Sequence, residues 1–546
     1  MDQRAPPVST ARPHTGSAVD AVERLTFLGW PLGLAAIIAG VVLSFFLFGY
    51  AQIYWRNADM DLMVIYSALA LNDGKPQVYF DHTAYISILA VQNWFRLLHG
   101  VGLLDAWSLS SMPSAADVPA FDAAMTRLVH AGRLLALLIA IGCTLIFTAL
   151  VRRITQDWRI ALLAAEAFAF SGGVAVHTRV LRSELIAACP VIFALMILIL
   201  IGRRASAARP LGMAVAAALC MLGLENKVQA ILLIGALPFI ILPFGSAESA
   251  SVRFWRGSAG WLAAAITAVV ATAAASMVWP LIATGFDPKL LEAAHFHPLL
   301  FGRYGVYQAA LAVLIVSGMI AYAVLWRVSA AETLASIAAM VAGASIALLV
   351  LNIEYNSANV IAIANPLEKM LTFADDSTTA ASRSAGSAIL LLLKGIGAAL
   401  ARYTFVLLPS SRPTMFLVWL IVPGIIVLWR RGERQPAVQA LMLLLAAIGI
   451  DALGVRRGLK GDYFVFTDPL IILAGVILLH RLGDLRFHKR AFAVGTALVL
   501  LHVTVGQADP VQLTFKRSGP EPICEWNQPY MPLLPLPWCA APPVRP

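Results

Sequence analysis

Long apolar runs separated by shorter polar connections recur along the whole chain. A helix that crosses a membrane needs roughly 20 mostly apolar residues, and we distinguish thirteen runs of about this size. They lie at about 27–50, 128–151, 157–176, 185–202, 210–224, 228–244, 258–283, 306–326, 332–351, 415–429, 437–454, 463–481 and 491–506. The pattern predicts an all-α polytopic membrane protein with about 13 transmembrane helices.

The composition agrees with this class. The 546 residues are 60% hydrophobic and 13% charged, and the mean hydropathy is +0.79. These values exclude an ordinary soluble domain. The net charge of +10 comes largely from short Arg-rich connections, so it reports membrane topology and predicts no nucleic-acid partner.

The positive charges predict the orientation, because Lys and Arg are retained in short cytoplasmic loops. Five clusters fall on one face of the predicted bundle: Arg152-Arg153, Arg203-Arg204, Arg253 with Arg256, Arg430-Arg431, and Arg486 with Lys489-Arg490. The N-terminus shares that face, so it is expected in the cytoplasm and the C-terminus in the periplasm. The Ala- and Arg-rich composition fits a GC-rich bacterial genome, and we expect the inner membrane.

Two further apolar stretches, 84–104 and 389–408, carry charges within them. If only one of them crossed the membrane, every later loop would be inverted and several Arg clusters would lie on the wrong side. We therefore expect both to be helices in the outer membrane interface. If both cross, the segment between them is inverted instead.

This topology divides the chain into four parts. Residues 1–26 form a polar cytoplasmic tail, and 27–326 form a membrane module with a first periplasmic loop at 51–127. Residues 327–506 form a second module with a periplasmic loop at 352–414, and 507–546 form a periplasmic tail. Cys524 and Cys539 flank a Pro-rich part of this tail, where they form either a disulfide, in an oxidising compartment, or two free thiols.

The first outer loop contains an acidic signature, Asp59-Met60-Asp61, followed by Asp81-His82. A carboxylate beside the membrane can accept a proton from an attacking hydroxyl or amine. On a helix, the side chains of two residues that are two positions apart point in different directions. We therefore expect only one of Asp59 and Asp61 to enter a given pocket. The alternative is that both are solvated loop residues.

Several cations are predicted on the same outer face. They are Arg179 and Arg182 with Glu184, then Lys227, then His295, His297 and Arg303, and finally Arg456 and Arg457 with Tyr463. Each alone can be an anchor at the end of a span. Together they place cations opposite an acidic group, as a reaction that releases a phosphate requires.

These residues resemble those of the GT-C glycosyltransferases that use polyprenyl-phosphate sugars, such as protein O-mannosyltransferases and lipid A aminoarabinose transferases. The stretch 79–85, Tyr-Phe-Asp-His-Thr-Ala-Tyr, is similar to the Asp-His-Pro-Pro or Asp-His-Pro-Gly segment of that family, from which Thr83-Ala84 departs. Arg179 to Glu184 resembles the loop after the third span, and 295–303 resembles a short His-and-Arg loop.

The resemblance implies a GT-C-like catalytic module and transfer of a sugar, with inversion, from a polyprenyl phosphate to an envelope glycan, lipid or protein in the periplasm. Asp59 is the preferred base, with Asp61 as the alternative. Lys227, Arg303 and Arg456 or Arg457 would neutralise the departing phosphate. Two carboxylates can also hold a hard cation, but the relatives with a similar first loop use none, so we expect no cofactor.

Two other functions remain open. Glu166, Asp451 and Asp468 lie within or at the ends of predicted spans, and such acids can form the proton relay of a transporter. A ligase or polymerase of lipid-linked oligosaccharides would also face the periplasm. Residues 352–414 are rich in Ser, Asn and Ala and contain Asp375-Asp376 where a ligase would have an Arg cluster.

Overall fold

A computed structural model describes residues 16–51, 54, 61–75, 84–203, 205–245, 250–283, 305–355, 385–404, 412, 414–453, 461–483, 485–506, 524 and 531–539. All regular elements in these ranges are helical. The α-helices are α1 Gly16–Phe45, α2 Met63–Asn72, α3 Tyr85–Gly100, α4 Val118–Thr155, α5 Trp158–Ala169, α6 Gly172–Arg179, α7 Glu184–Gly202, α8 Arg209–Asn226, α9 Ala230–Ile241, α10 Arg253–Arg256, α11 Ser258–Ala283, α12 Gly305–Leu325, α13 Ala330–Tyr355, α14 Ala385–Thr404, α15 Met415–Arg430, α16 Arg434–Leu453, α17 Asp468–Leu482 and α18 Leu485–Gly506.

Six of these helices are long and apolar enough to cross a membrane: α1, α4, α7, α11, α13 and α16. The bent pair of α5 and α6 raises the number to seven if it forms one span, and shorter apolar helices lie among the remaining described elements. The chain is therefore a helical, multi-pass membrane protein. The number thirteen stays a prediction, because several predicted spans contain helices that are too short or too charged for this criterion.

The predicted third span, 157–176, is not one straight helix. It is divided into α5 and α6, whose axes differ by 62°. Ser171 Oγ accepts the Val174 N–H at 3.2 Å and caps α6. A Cβ on Gly173 would lie 2.3 Å from the Val465 backbone nitrogen, so only glycine permits the approach of α6 to the 3₁₀ turn Gly461–Phe466.

The connections predicted on the Arg-rich face contact one another. His488 Nδ1 lies 2.8 Å from Asp157 Oδ2, and the Gln435 amide donates to the Gly245 carbonyl at 2.7 Å. Each contact places the two connections that it joins at the same end of the bundle, as the predicted topology does. The assignment of this face to the cytoplasm stays a prediction.

A separate apolar core lies at the other end of the bundle. Helix α4 has 38 residues, which is about 57 Å at 1.5 Å per residue and longer than the roughly 30 Å hydrocarbon layer. Its first turns pack with α2, α3 and the tail residues Met531, Leu534 and Leu536, all buried. The tail is closed by the Cys524–Cys539 disulfide, which confirms that alternative from the sequence.

Both stretches expected at the membrane interface contain helices, α3 and α14. Helix α3 buries Tyr85, Ile88 and Phe95 on one side and exposes Arg96 and Leu97 on the other. Among the described helices neither α3 nor α14 meets the criterion for a span. Their place in the interface stays a prediction.

Candidate functional site

The candidate site is organised around α6 and the connection 180–183 that follows it. These residues contact Asp61 near the start of the first outer loop, Asn226 at the C-terminal end of α8, and Asp468 at the start of α17. The 62° bend between α5 and α6 turns this segment away from the axis of α5. Three groups of charged side chains surround it.

The first group is a buried ion pair. Arg133 donates from Nη2 and Nε to Asp61 Oδ2 at 2.9 and 3.1 Å, and both side chains are 0% exposed. The Leu181 N–H donates to Asp61 Oδ1 at 2.7 Å. Burial raises the pKa of Asp61, and the charge and hydrogen bonds of Arg133 oppose that rise. Both oxygens of Asp61 are therefore engaged in holding α4 to the connection after α6.

The second group joins two cations to one carboxylate. Glu184 Oε1 lies 3.1 Å from Arg182 Nη2 and 3.2 Å from Lys227 Nζ. The side chain of Glu184 is 0% exposed and that of Lys227 is 2% exposed, whereas that of Arg182 is 11% exposed. The hydroxyl of the buried Ser183 has no hydrogen-bond partner in the described part of the chain. The described part of this cluster thus brings two cations and one carboxylate together beside a hydroxyl that can donate to a bound anion.

The described contacts of Arg179 are with the end of the first span and not with Glu184. Its Nη2 donates to Ser44 Oγ at 2.7 Å, and its guanidinium lies 5.4 Å from the centre of the Phe48 ring. A Cβ on Gly49 would lie 2.8 Å from the Arg179 Cβ. The absence of a side chain at Gly49 lets α6 and the end of the first span meet closely.

The third group was missed by reasoning from the sequence. The buried Arg412 pairs with Asp451 and Asp468 and donates to Thr467 Oγ1 at 2.6 Å. The sequence did contain a signal for this group, because two carboxylates near the ends of predicted spans are costly to bury without a cation. The pairing fixes the 3₁₀ turn that contains the half-buried Tyr463.

Asn226 was also missed. It ends α8 directly before Lys227, is fully buried, and bonds to both α3 and Ser183. A polar residue at a helix end gives little sign in the sequence of such distant partners. It brings the first outer loop next to the cationic cluster.

The remaining predicted residues lie outside the described ranges. They are Asp59, Asp81, His82, His295, His297, Arg303, Arg456 and Arg457. Their roles stay predictions. Within the described ranges no three His, Cys, Asp or Glu side chains are grouped as metal ligands would be.

Comparisons with protein-family models, with curated proteins and with solved structures give no significant match to this chain. The chemistry of the site is therefore inferred from its own geometry.

Proposed function

We propose that this protein is an integral-membrane glycosyltransferase that moves a sugar from a polyprenyl phosphate to an envelope glycan, lipid or protein on the outer side of a bacterial inner membrane. The chain crosses that membrane thirteen times, from a cytoplasmic N-terminus to a periplasmic C-terminus. Transfer is a direct displacement with inversion, and it needs no metal cofactor.

The observation that carries the proposal is the contact of two cations, Arg182 and Lys227, with the buried Glu184. Two cations held close together beside a connection between helices suit the binding of an anion such as a phosphate. The Ser183 hydroxyl, which has no hydrogen-bond partner among the described residues, offers such an anion a neutral donor. A departing polyprenyl phosphate supplies such an anion, and cations stabilise the developing charge strongly in a poorly solvated site.

The geometry also separates the two candidate bases. Asp61 is buried, and Arg133 and Leu181 occupy its oxygens, which leaves it little capacity to accept a proton from a substrate. We therefore assign Asp61 to holding the start of the first outer loop. Asp59, two residues earlier in the sequence, remains the proposed base.

A transporter is the second candidate, and the buried acids favour it. Asp451 and Asp468 share Arg412, and Glu166 accepts from Thr496 across two helices at 2.8 Å. A proton relay needs acids that exchange partners. In a transferase these pairs are structural, so conservative substitution of Glu166 would leave sugar transfer intact.

The proposal is tested by neutralising one cation of the cluster. Lys227→Gln should weaken the binding of polyprenyl phosphate about ten- to a hundredfold, because a hydrogen bond to a charged group contributes about 1.5–3 kcal/mol. Affinity would be measured with the purified protein in liposomes, together with its thermal denaturation.

Lys394→Gln is the matched control, since Lys394 is an exposed cation of α14. It should leave the affinity unchanged. Equal affinities of the wild type and Lys227→Gln would refute the assignment of the cluster to phosphate binding.

A further inference from the structure

Helix α3 does not cap its own N-terminus. Ala84 occupies the N-cap position with a left-handed φ of 48°, and its methyl group accepts no hydrogen bond. A Ser, Thr, Asp or Asn in this position usually accepts the N–H of the third helical residue. Here that N–H belongs to Ser87, and it donates to Asn226 Oδ1 at 3.1 Å. Another helix, α8, thus supplies the cap.

Asn226 uses its remaining polar groups as well. Its Oδ1 accepts the Ser87 hydroxyl at 3.1 Å, and its backbone carbonyl accepts the Ala84 N–H at 3.0 Å. Its Nδ2 donates to the Ser183 carbonyl at 2.7 Å. One fully buried side chain therefore joins the start of α3, the end of α8 and the connection before α7.

The residues that Asn226 joins are neighbours of the cationic cluster. Ser183 lies between Arg182 and Glu184, and Lys227 directly follows Asn226. A shift of Asn226 would therefore change the position of Lys227 relative to Glu184, as well as the position of α3 relative to both. No other described side chain forms hydrogen bonds both to the start of α3 and to residue 183.

We propose that Asn226 is a positioning residue of this site: it caps α3 in trans and thereby holds the first outer loop against the Arg182–Glu184–Lys227 cluster. The inference rests on the proposed transferase function. It adds a role that requires no contact between Asn226 and the substrate. A misplacement of about 1 Å can lower a rate about a hundredfold, so the role should be visible in kcat.

Two substitutions separate the cap from the coupling. Asn226→Ala removes all three side-chain hydrogen bonds, so amide exchange at Ser87 should become faster and kcat should fall about a hundredfold. Asn226→Asp keeps an acceptor for Ser87, and a negative charge is favourable at a helix N-terminus. It loses the donor to Ser183, so exchange at Ser87 should stay slow while kcat still falls.

The assay measures kcat and KM for release of polyprenyl phosphate, with hydrogen exchange followed by mass spectrometry on the same samples. KM for the donor should change much less than kcat in both variants. Asn93→Ala serves as the control, because Asn93 is exposed and bonds within α3 to the Leu89 carbonyl at 3.0 Å. It should match the wild type in all three quantities.

The inference would be overturned if Asn226→Ala had the kcat of the wild type. It would also be overturned if Asn226→Asp had the kcat of the wild type, because Asn226 would then act only as a structural cap of α3. A wild type without any turnover would refute the proposed function but would leave the trans cap of α3 to be tested. The exchange at Ser87 would distinguish that case, because the trans cap is measured without turnover.

Discussion

Breaking the Asp61–Arg133 pair provides the sharpest test of the assignment of Asp61. Arg133→Met leaves the Asp61 carboxyl buried without its cation, and we expect the free energy of unfolding to fall by about 3–5 kcal/mol. The structural basis is that both side chains are 0% exposed and 2.9 Å apart. At that separation the attraction alone is about 6 kcal/mol for an effective dielectric constant of about 20, before the cost of desolvation.

The double variant Asp61→Leu with Arg133→Met should recover a large part of this loss. Replacing a buried ion pair by apolar side chains is often close to neutral, although here the Leu181 N–H and the Gly49 carbonyl lose their partners. Each such orphan costs about 1–3 kcal/mol. The double variant should therefore be less damaged than the sum of the single variants.

The pH dependence has a defined sign. Arg133→Met removes the charge and hydrogen bonds that most strongly lower the pKa of Asp61, and leaves the Leu181 hydrogen bond and the Arg182 charge. Burial, the largest effect, then raises the folded-state pKa of Asp61 further above the unfolded value. The folded state then binds more protons than the unfolded state, so stability should increase as the pH is lowered through the raised pKa. The wild type should show a smaller change of this kind.

The measurement is unfolding by a denaturing detergent, followed by circular dichroism at several pH values. Arg127→Met is the control, because Arg127 lies in the same helix as Arg133, α4. Arg127 forms an exposed pair with Asp105, and an exposed ion pair contributes about 0–1 kcal/mol. A stable Arg133→Met variant, or single effects that simply add in the double variant, would refute the reasoning.

Two further predictions concern the packing around the site. Replacing Cys524 and Cys539 by Ser should lower the stability of the tail by about 3 kcal/mol, since the disulfide closes a loop of 15 residues. Proteolysis of the tail should then be faster than in a Cys220→Ser control, and equal rates would contradict this. Gly173→Ala should cost about 1–3 kcal/mol, because its Cβ would lie 2.3 Å from backbone. Gly142→Ala, which meets nothing within 4 Å, should cause no loss, and equal melting of the two variants would contradict the close approach.

Much of the helical architecture follows from the sequence, because the hydrophobic runs directly reflect burial in lipid or in the bundle. The break at Ser171-Gly172-Gly173 was missed, although a Ser followed by two glycines is a recognised end signal. The run from 157 to 176 is apolar enough to hide it. The break accompanies the close approach of Gly173 to the 3₁₀ turn before α17. This is a tertiary contact, which a local sequence pattern does not encode.

The composition of the site was only partly predictable. Arg182, Glu184 and Lys227 were expected on one outer face, and the structure brings them together. The partner of Asp61 lies 72 positions away in the sequence, and no local pattern connects the two. The role of Asn226 likewise depends on helices that meet only in the folded chain.

The most direct measurement of the central claim is release of polyprenyl phosphate from a polyprenyl-phosphate sugar pool by the purified protein in liposomes, with envelope extract as acceptor. We expect the wild type to release it and Asp59→Asn to lose most of the activity while still binding the donor. Asp61→Asn should lower the stability of the protein more than it lowers the rate of polyprenyl phosphate release. Absence of release from a wild type that is loaded with donor would contradict the transferase assignment and favour transport. Release that is equal in the wild type and Asp59→Asn would remove the proposed base and favour a ligase.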